Sequence, residues 1–196
     1  MKLLFVIGLV STLALASWLW TPDLDRATLE TRYARSPADF IDVAGVRLHV
    51  RDEGPADAPP IVMLHGFGAS LQSFDAWAAA LAGDFRVIRI DLPGAGLSGA
   101  DPAGDYRDER SIELLDALLD ALHLGRASFV GHSIGGRIAW RYAAARPARV
   151  ASLVLIAPDG FASPGFEYGK APAVPALLGL MQYSLPAALL RMNVAP

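Results

Sequence analysis

The sequence predicts an α/β sandwich, a mostly parallel sheet flanked by helices, and three observations predict it. Short apolar runs alternate with longer helical patterns from residue 61 to 157. Two period-two segments precede them, joined through Ala44-Gly45. Hydrophobic residues make up 53% of 196, ample for a buried core.

The elements follow in chain order. Lys2 precedes an uncharged stretch, Leu3 to Trp20, whose 18 residues would rise ~27 Å as a helix, just short of the roughly 30 Å hydrocarbon core. Residues 1–20 are therefore expected to be a targeting segment in one of two forms. In a cleaved signal peptide, Ala14-Leu15-Ala16 is the small-residue cleavage site. In a signal anchor, Trp18 and Trp20 sit at the membrane interface. Either form places the body outside, in the periplasm or exterior, as an anchored or secreted protein. Residues 21–39, broken by Pro22 and Pro37, read as a connector with room for a short helix.

Phe40 to Val43 and Val46 to Val50 form a hairpin. Ile61 to Leu64 has no polar residue, as a strand covered on both faces requires. Ser70 to Ala82 is a helix and Arg86 to Asp91 a strand. Ser111 to Leu122 is a helix with Ile112, Leu115, Leu118, Leu119 and Leu122 on one face. Ser128 to Gly131 is a strand, Gly135 to Ala145 a helix ended near Pro147, and Val150 to Ala157 a strand. From residue 161 the texture changes to a proline-punctuated apolar segment, expected to start a helical layer over the sheet.

Charge and composition exclude several functions. The net charge is −3 and the basic residues are scattered, so no nucleic-acid partner is expected. There is no cysteine, which removes disulfides, thiolate metal sites and a cysteine nucleophile together. No metal and no cofactor are expected.

The chemistry concentrates in Gly131-His132-Ser133-Ile134-Gly135-Gly136, a G-x-S-x-G pattern lying directly between an apolar strand and a helix. A serine on so sharp a turn has strained backbone angles. Gly131 and Gly135 must be small to let strand and helix meet. Ser133 is the candidate nucleophile, and the following helix start offers unpaired amides to developing negative charge. His65-Gly66-Phe67-Gly68 follows an earlier strand. An oxyanion hole needs two backbone N–H donors, and Phe67 and Ile134 are the candidates, with His65 and Gly66 in support. Asp91 to Ser98 is glycine-rich but lacks the Lys-Ser/Thr ending of a phosphate loop, and reads as a structural turn.

Together the hairpin, HGFGAS, DLPGAGLS and GHSIGG resemble the α/β-hydrolase superfamily. They resemble in particular its capped branch of serine esterases, lipases, C–C hydrolases and cofactor-free haloperoxidases. The resemblance runs from Phe40 to Pro196 and implies residues 40–160 as the N-terminal part of an α/β-hydrolase core and 161–196 as the start of a helical cap. It implies Ser133 as nucleophile and Phe67 and Ile134 as oxyanion donors. Ala95 stands where many relatives carry His. Relatives that open epoxides or remove halides carry Asp at the nucleophile position, so Ser133 argues against both.

A serine also needs a base oriented by an acid, in the order Ser, acid, His. His49, His65, His123 and His132 all precede Ser133, and none fits the base. Among acids, Asp159 follows the sixth strand, where some relatives place their acid, and is the secondary candidate for that role; Glu167 lies further on, and cap-entry or helix-capping roles are expected for both. The resemblance calls for two more strands, about a hundred residues past Pro196, so the last strands are expected to be absent and the chain to be incomplete for catalysis. The expected activity of the parent is hydrolysis of an uncharged hydrophobic ester or acyl substrate. Haloperoxidase and C–C hydrolase chemistry use the same triad and stay open. So does a non-catalytic binding or interaction module on a decayed hydrolase scaffold.

Overall fold

The computed structural model describes residues 2–19 and 24–160. From Arg26 onward the body is a unit separate from the N-terminal helix. Six strands form one sheet: β1 (Phe40–Val43), β2 (Val46–Glu53), β3 (Pro60–Leu64), β4 (Arg86–Ile90), β5 (Ala127–His132) and β6 (Val150–Ile156), in the order β1-β2-β4-β3-β5-β6. β2 pairs antiparallel with β1 and β4, while β4, β3, β5 and β6 run parallel.

The apolar run of β3 is buried on both faces because helices cover both. Val62 and Leu64 pack in a cluster with Leu114, Leu115, Leu118 and Leu119 of α4 (Asp108–Ala121) and Ile138, Ala139 and Tyr142 of α5 (Ile134–Ala145). Ile61 and Met63 face the other way, onto Phe74 and Ala78 of the segment containing α3 (Asp75–Leu81). Successive strand residues point to opposite faces, so each central strand feeds two cores. Arg89 of β4 is buried on the second face, where Glu53, Asp75 and the Leu71 carbonyl take its guanidinium.

The expected elements form, with differences that have physical causes. The hairpin turn places both Ala44 (φ 46) and Gly45 (φ 83) in left-handed conformations, matching the twist of the flanking strands. β2 continues to Glu53, past the expected Val50, because Arg51 to Glu53 pair with β4. Asp52 and Glu53 also hold Arg86 and Arg89 through ion pairs. The helix expected over Ser70 to Ala82 is instead a 3-10 turn, Leu71–Phe74, followed by α3. Leu71, first residue of that turn, is tied to the sheet from outside it, its amide donating to Asp91 and its carbonyl accepting from Arg89. α4 begins at Asp108 rather than Ser111, with Asp108 and Glu109 against the positive end of the helix dipole. The connector contains α2 (Arg26–Tyr33), fastened to the body by polar bonds and burying none of its own residues.

β6 is an edge of the sheet among the described residues. Val154 (45% exposed) and Leu155 (36% exposed) show apolar surface to solvent.

The N-terminal segment is described by itself. Lys2–Leu19 is one helix, α1, of 18 residues. Among the described residues no helix is long and apolar enough to cross a membrane. The rise of about 27 Å falls short of the roughly 30 Å hydrocarbon core, so the expected signal anchor, and with it a membrane partner, finds no support. The expected start of a cap over 161–196, and Glu167 within it, lie outside the described residues.

Candidate active site

Ser133 occupies the turn between β5 and α5 with φ 52 and ψ −118, outside the conformations an L-residue adopts freely. Three backbone bonds hold it there. Its amide donates to the Ile156 carbonyl at 3.1 Å, and its carbonyl accepts from the amides of Arg137 and Asp159, each at 3.0 Å. The neighbouring strand and the start of the helix therefore fix the strained residue from both sides.

The flanking glycines are required by contact. A Cβ on Gly131 would sit 2.5 Å from the Gly135 carbonyl oxygen, and one on Gly135 would meet the Leu64 and His65 carbonyl oxygens at 2.3 and 2.5 Å. Gly136, a third small residue, passes under Pro158, whose Cβ would be 2.8 Å from an added Cβ.

The loop after β3 lies directly against this turn. A Cβ built on Gly66 would be 3.2 Å from Ser133 Cβ and 2.7 Å from His132 Nδ1. The two predicted motifs are thus adjacent. The His132 ring lies along Gly66, where only a glycine leaves room for it.

His65 is almost fully buried, and the Leu92 amide donates to its Nε2 at 3.0 Å. That bond occupies the lone pair, so the ring proton sits on Nδ1, which donates to the Gly66 carbonyl at 2.7 Å. The Ala69 amide also reaches this carbonyl, at 3.3 Å. The Gly66 carbonyl and the Phe67 N–H belong to one planar trans peptide and point in opposite directions. Pinning the first therefore aims the second. The Phe67 side chain is 92% exposed, and among the described residues no turn or loop carbonyl takes the amide of Phe67 or of Ile134. Both expected donors are left available.

Asp91 organises the rest. Its Oδ1 accepts from the Leu71 amide, and its Oδ2 from the Leu97 amide and His49 Nδ1, all at 2.8 Å. Ser98 Oγ donates to the Asp91 carbonyl at 2.6 Å and accepts from the His49 amide at 2.9 Å. Burial alone would raise the Asp91 pKa, but the bonds from His49, Leu71 and Leu97 outweigh it and hold the carboxyl below its ordinary range. Gly96 (φ 52) has no alternative, because a Cβ there would fall 2.1 Å from this carboxylate. The 91–98 segment is therefore the structural turn expected, and it braces the loop that carries Phe67. This role of Asp91 does not follow from the sequence pattern. An acid opening a glycine-rich turn after a buried strand was its only visible signal.

Among the described residues none is placed as a base for Ser133. His49 belongs to β2, three inter-strand steps from β5, about 14 Å away, and is buried against Asp91. His65 has both nitrogens committed. His123 is an exposed residue just past α4, in the left-handed conformation (φ 58) that ends a helix. Asp159, which follows the turn's neighbouring strand, spends one carboxylate oxygen on the Gly160 amide at 2.6 Å, and the other lies 3.8 Å from Arg137. Among the described residues no cluster of acids and histidines could hold a metal.

Comparison with known proteins agrees with this geometry. The sequence pattern of the alpha/beta hydrolase fold family matches residues 59–183. The acetyltransferase component of an acetoin cleaving system from Pseudomonas putida is 43% identical over 129 residues, 65% of this chain and 34% of that protein. A putative 2-succinyl-6-hydroxy-2,4-cyclohexadiene-1-carboxylate synthase from Bacillus subtilis is 39% identical over 112 residues, 57% of this chain and 40% of that protein. The crystal structure of the enol-lactonase from Burkholderia xenovorans superposes with a TM-score of 0.56 at 34% identity, covering 58% of this chain and 44% of the lactonase. The chain spans between a third and two fifths of the length of the two sequence relatives.

Proposed function

This chain belongs to the alpha/beta hydrolase fold family, and from that premise we propose that it is the nucleophile-bearing part of a serine hydrolase acting on an uncharged ester or related acyl substrate. Ser133 Oγ attacks the carbonyl carbon while the Phe67 and Ile134 amides receive the oxygen as it becomes an anion. Collapse of the tetrahedral intermediate expels the alcohol, which takes up the serine proton. Water then attacks the acyl-serine and releases the acid.

One observation carries this reading. Ser133 is held at φ 52 where strand and helix meet, and a Cβ on the glycine of the opposing loop would lie 3.2 Å from its own Cβ. Strain of this kind costs roughly 1–3 kcal/mol and persists where surrounding structure enforces it, as at reactive residues. The base and its acid come, in this reading, from sequence following Pro196. The short share of its relatives' length supports that.

A fluorophosphonate probe tests the assignment. In a chain of the length its relatives have, the probe adds its mass to Ser133 and not to the Ser133→Ala variant. A chain that folds and leaves Ser133 unlabelled refutes it.

Lys2 ahead of an uncharged apolar stretch supports export of the body as part of the same proposal. The mature N-terminus, sequenced from a cell envelope fraction, then begins after Ala16. An intact Met1 or Lys2 in the cytosol contradicts export.

A further inference from the structure

A cavity of about 390 Å³ lies between α2 and two of the loops that brace the site, within the range of roughly 300–1,000 Å³ that small-molecule clefts occupy. Leu29 and Tyr33 of α2 and Leu97 of the glycine-rich turn give it apolar and aromatic walls. Ser70 and Gln72, whose side chains are hydrogen-bonded to each other, and the buried Asp91 supply its polar groups.

The wall formed by α2 is not a by-product of core packing, since the helix buries no residue. Polar bonds hold it instead. Arg26 donates to the Leu97 carbonyl, Arg51 to the Tyr33 carbonyl at 2.7 Å, and Arg47 pairs with Glu30 at 2.6 Å. The opposite wall continues the loop that carries Phe67, with Ser70 three residues further on. Asp91 directly follows β4, which lies two inter-strand steps from β5, about 10 Å.

We propose that this cavity binds a neutral aliphatic alcohol chain, the apolar arm of the substrate; its link to the reaction rests on the serine hydrolase reading above. Leucine and tyrosine surfaces take up the methylenes, and the Gln72 amide and Ser70 hydroxyl can meet a hydroxyl or ester oxygen. The carboxylate of Asp91 selects against acids. It stays ionised because three donors hold it so, and a ligand carboxylate beside it would meet like charge in a poorly solvated space.

Titration of the full chain with 1-octanol, followed by NMR of the leucine methyls, tests the site. Octanol binds saturably, with shifts at Leu29 and Leu97. Octanoate at pH 7 binds at least tenfold more weakly. Leu29→Trp, which fills the space, weakens octanol at least tenfold, and Leu29→Gln, close in size but polar, weakens it too and serves should the tryptophan disturb folding. Absence of saturable binding, equal binding of octanoate, or unchanged affinity in a folded Leu29 variant overturns the proposal. Ser133→Ala binds octanol as the parent does. Octanol binding without fluorophosphonate labelling defeats the nucleophile assignment alone, and labelling without octanol binding defeats the cavity alone.

Discussion

The backbone amide of Leu92 donates to Nε2 of His65 at 3.0 Å, and this bond between two loops decides which ring nitrogen carries the proton. With Nδ1 protonated, His65 grips the Gly66 carbonyl at 2.7 Å and thereby orients the Phe67 amide. His65 is thus a positioning residue. In the active full-length protein His65→Ala lowers kcat by about 10²-fold, the scale of losing one oxyanion donor, with KM little changed. His65→Asn places an amide donor near the position of Nδ1 and recovers part of the rate, whereas His65→Gln does not. Equal losses in all three variants, or a change confined to KM, would mean that His65 only packs.

Ser133 stores strain that any residue with a Cβ shares and glycine does not. Ser133→Gly is therefore expected to raise stability in urea by about 1 kcal/mol relative to Ser133→Ala, while both lose probe labelling. Identical midpoints for the two variants would show that the turn is not strained at this residue.

Gly135 and Gly125 make a matched pair for testing the closeness of strand and helix. A Cβ at Gly135 meets two carbonyl oxygens within 2.5 Å, while one at Gly125 meets nothing within 4 Å. Gly135→Ala should cost about 3 kcal/mol or prevent folding, and Gly125→Ala should stay within about 0.5 kcal/mol of the parent by thermal or chemical denaturation. A neutral Gly135→Ala would mean that β3 and α5 sit further apart than described.

Much of this architecture was legible because local pattern and tertiary environment agree. The unbroken apolar run Ile61 to Leu64 could be stable only between two helical layers, and it lies between α4 and α5 on one face and α3 on the other. Gly131 and Gly135 flanking Ser133 fixed the turn by sterics alone. The features that escaped depend on distant partners. The 3-10 turn at Leu71 is tied to Asp91 and Arg89, partners 20 and 18 residues along the chain. The roles of His65 and His132 rest on which loop faces which ring, and periodicity carries no information about that.

The last prediction concerns acid. Asp91 is the best-bonded buried carboxylate of the site, and its folded pKa lies below the ordinary value, while in the unfolded chain it titrates near ~3.9. A depressed folded pKa stabilises the fold above the unfolded value, and the contribution disappears as pH falls through the folded value. The group next to it from β2 is His49, at 2.8 Å, and from the 65–70 loop His65 Nε2 at 4.0 Å, whose lone pair is already taken by Leu92. Stability measured by urea unfolding should therefore hold steady down to about pH 5 and then fall as pH drops towards 2. Asp91→Asn keeps the shape but loses the charge that orders His49 and the Leu71 and Leu97 amides. It should cost about 3 kcal/mol at neutral pH, with the gap to the parent closing as the parent's carboxylate protonates. The loops braced by Asp91 include the one carrying Phe67, so probe labelling of Ser133 should weaken in the same variant even where it remains folded. A constant gap across that pH range would show that the carboxylate is not the ionised group binding the two loops together.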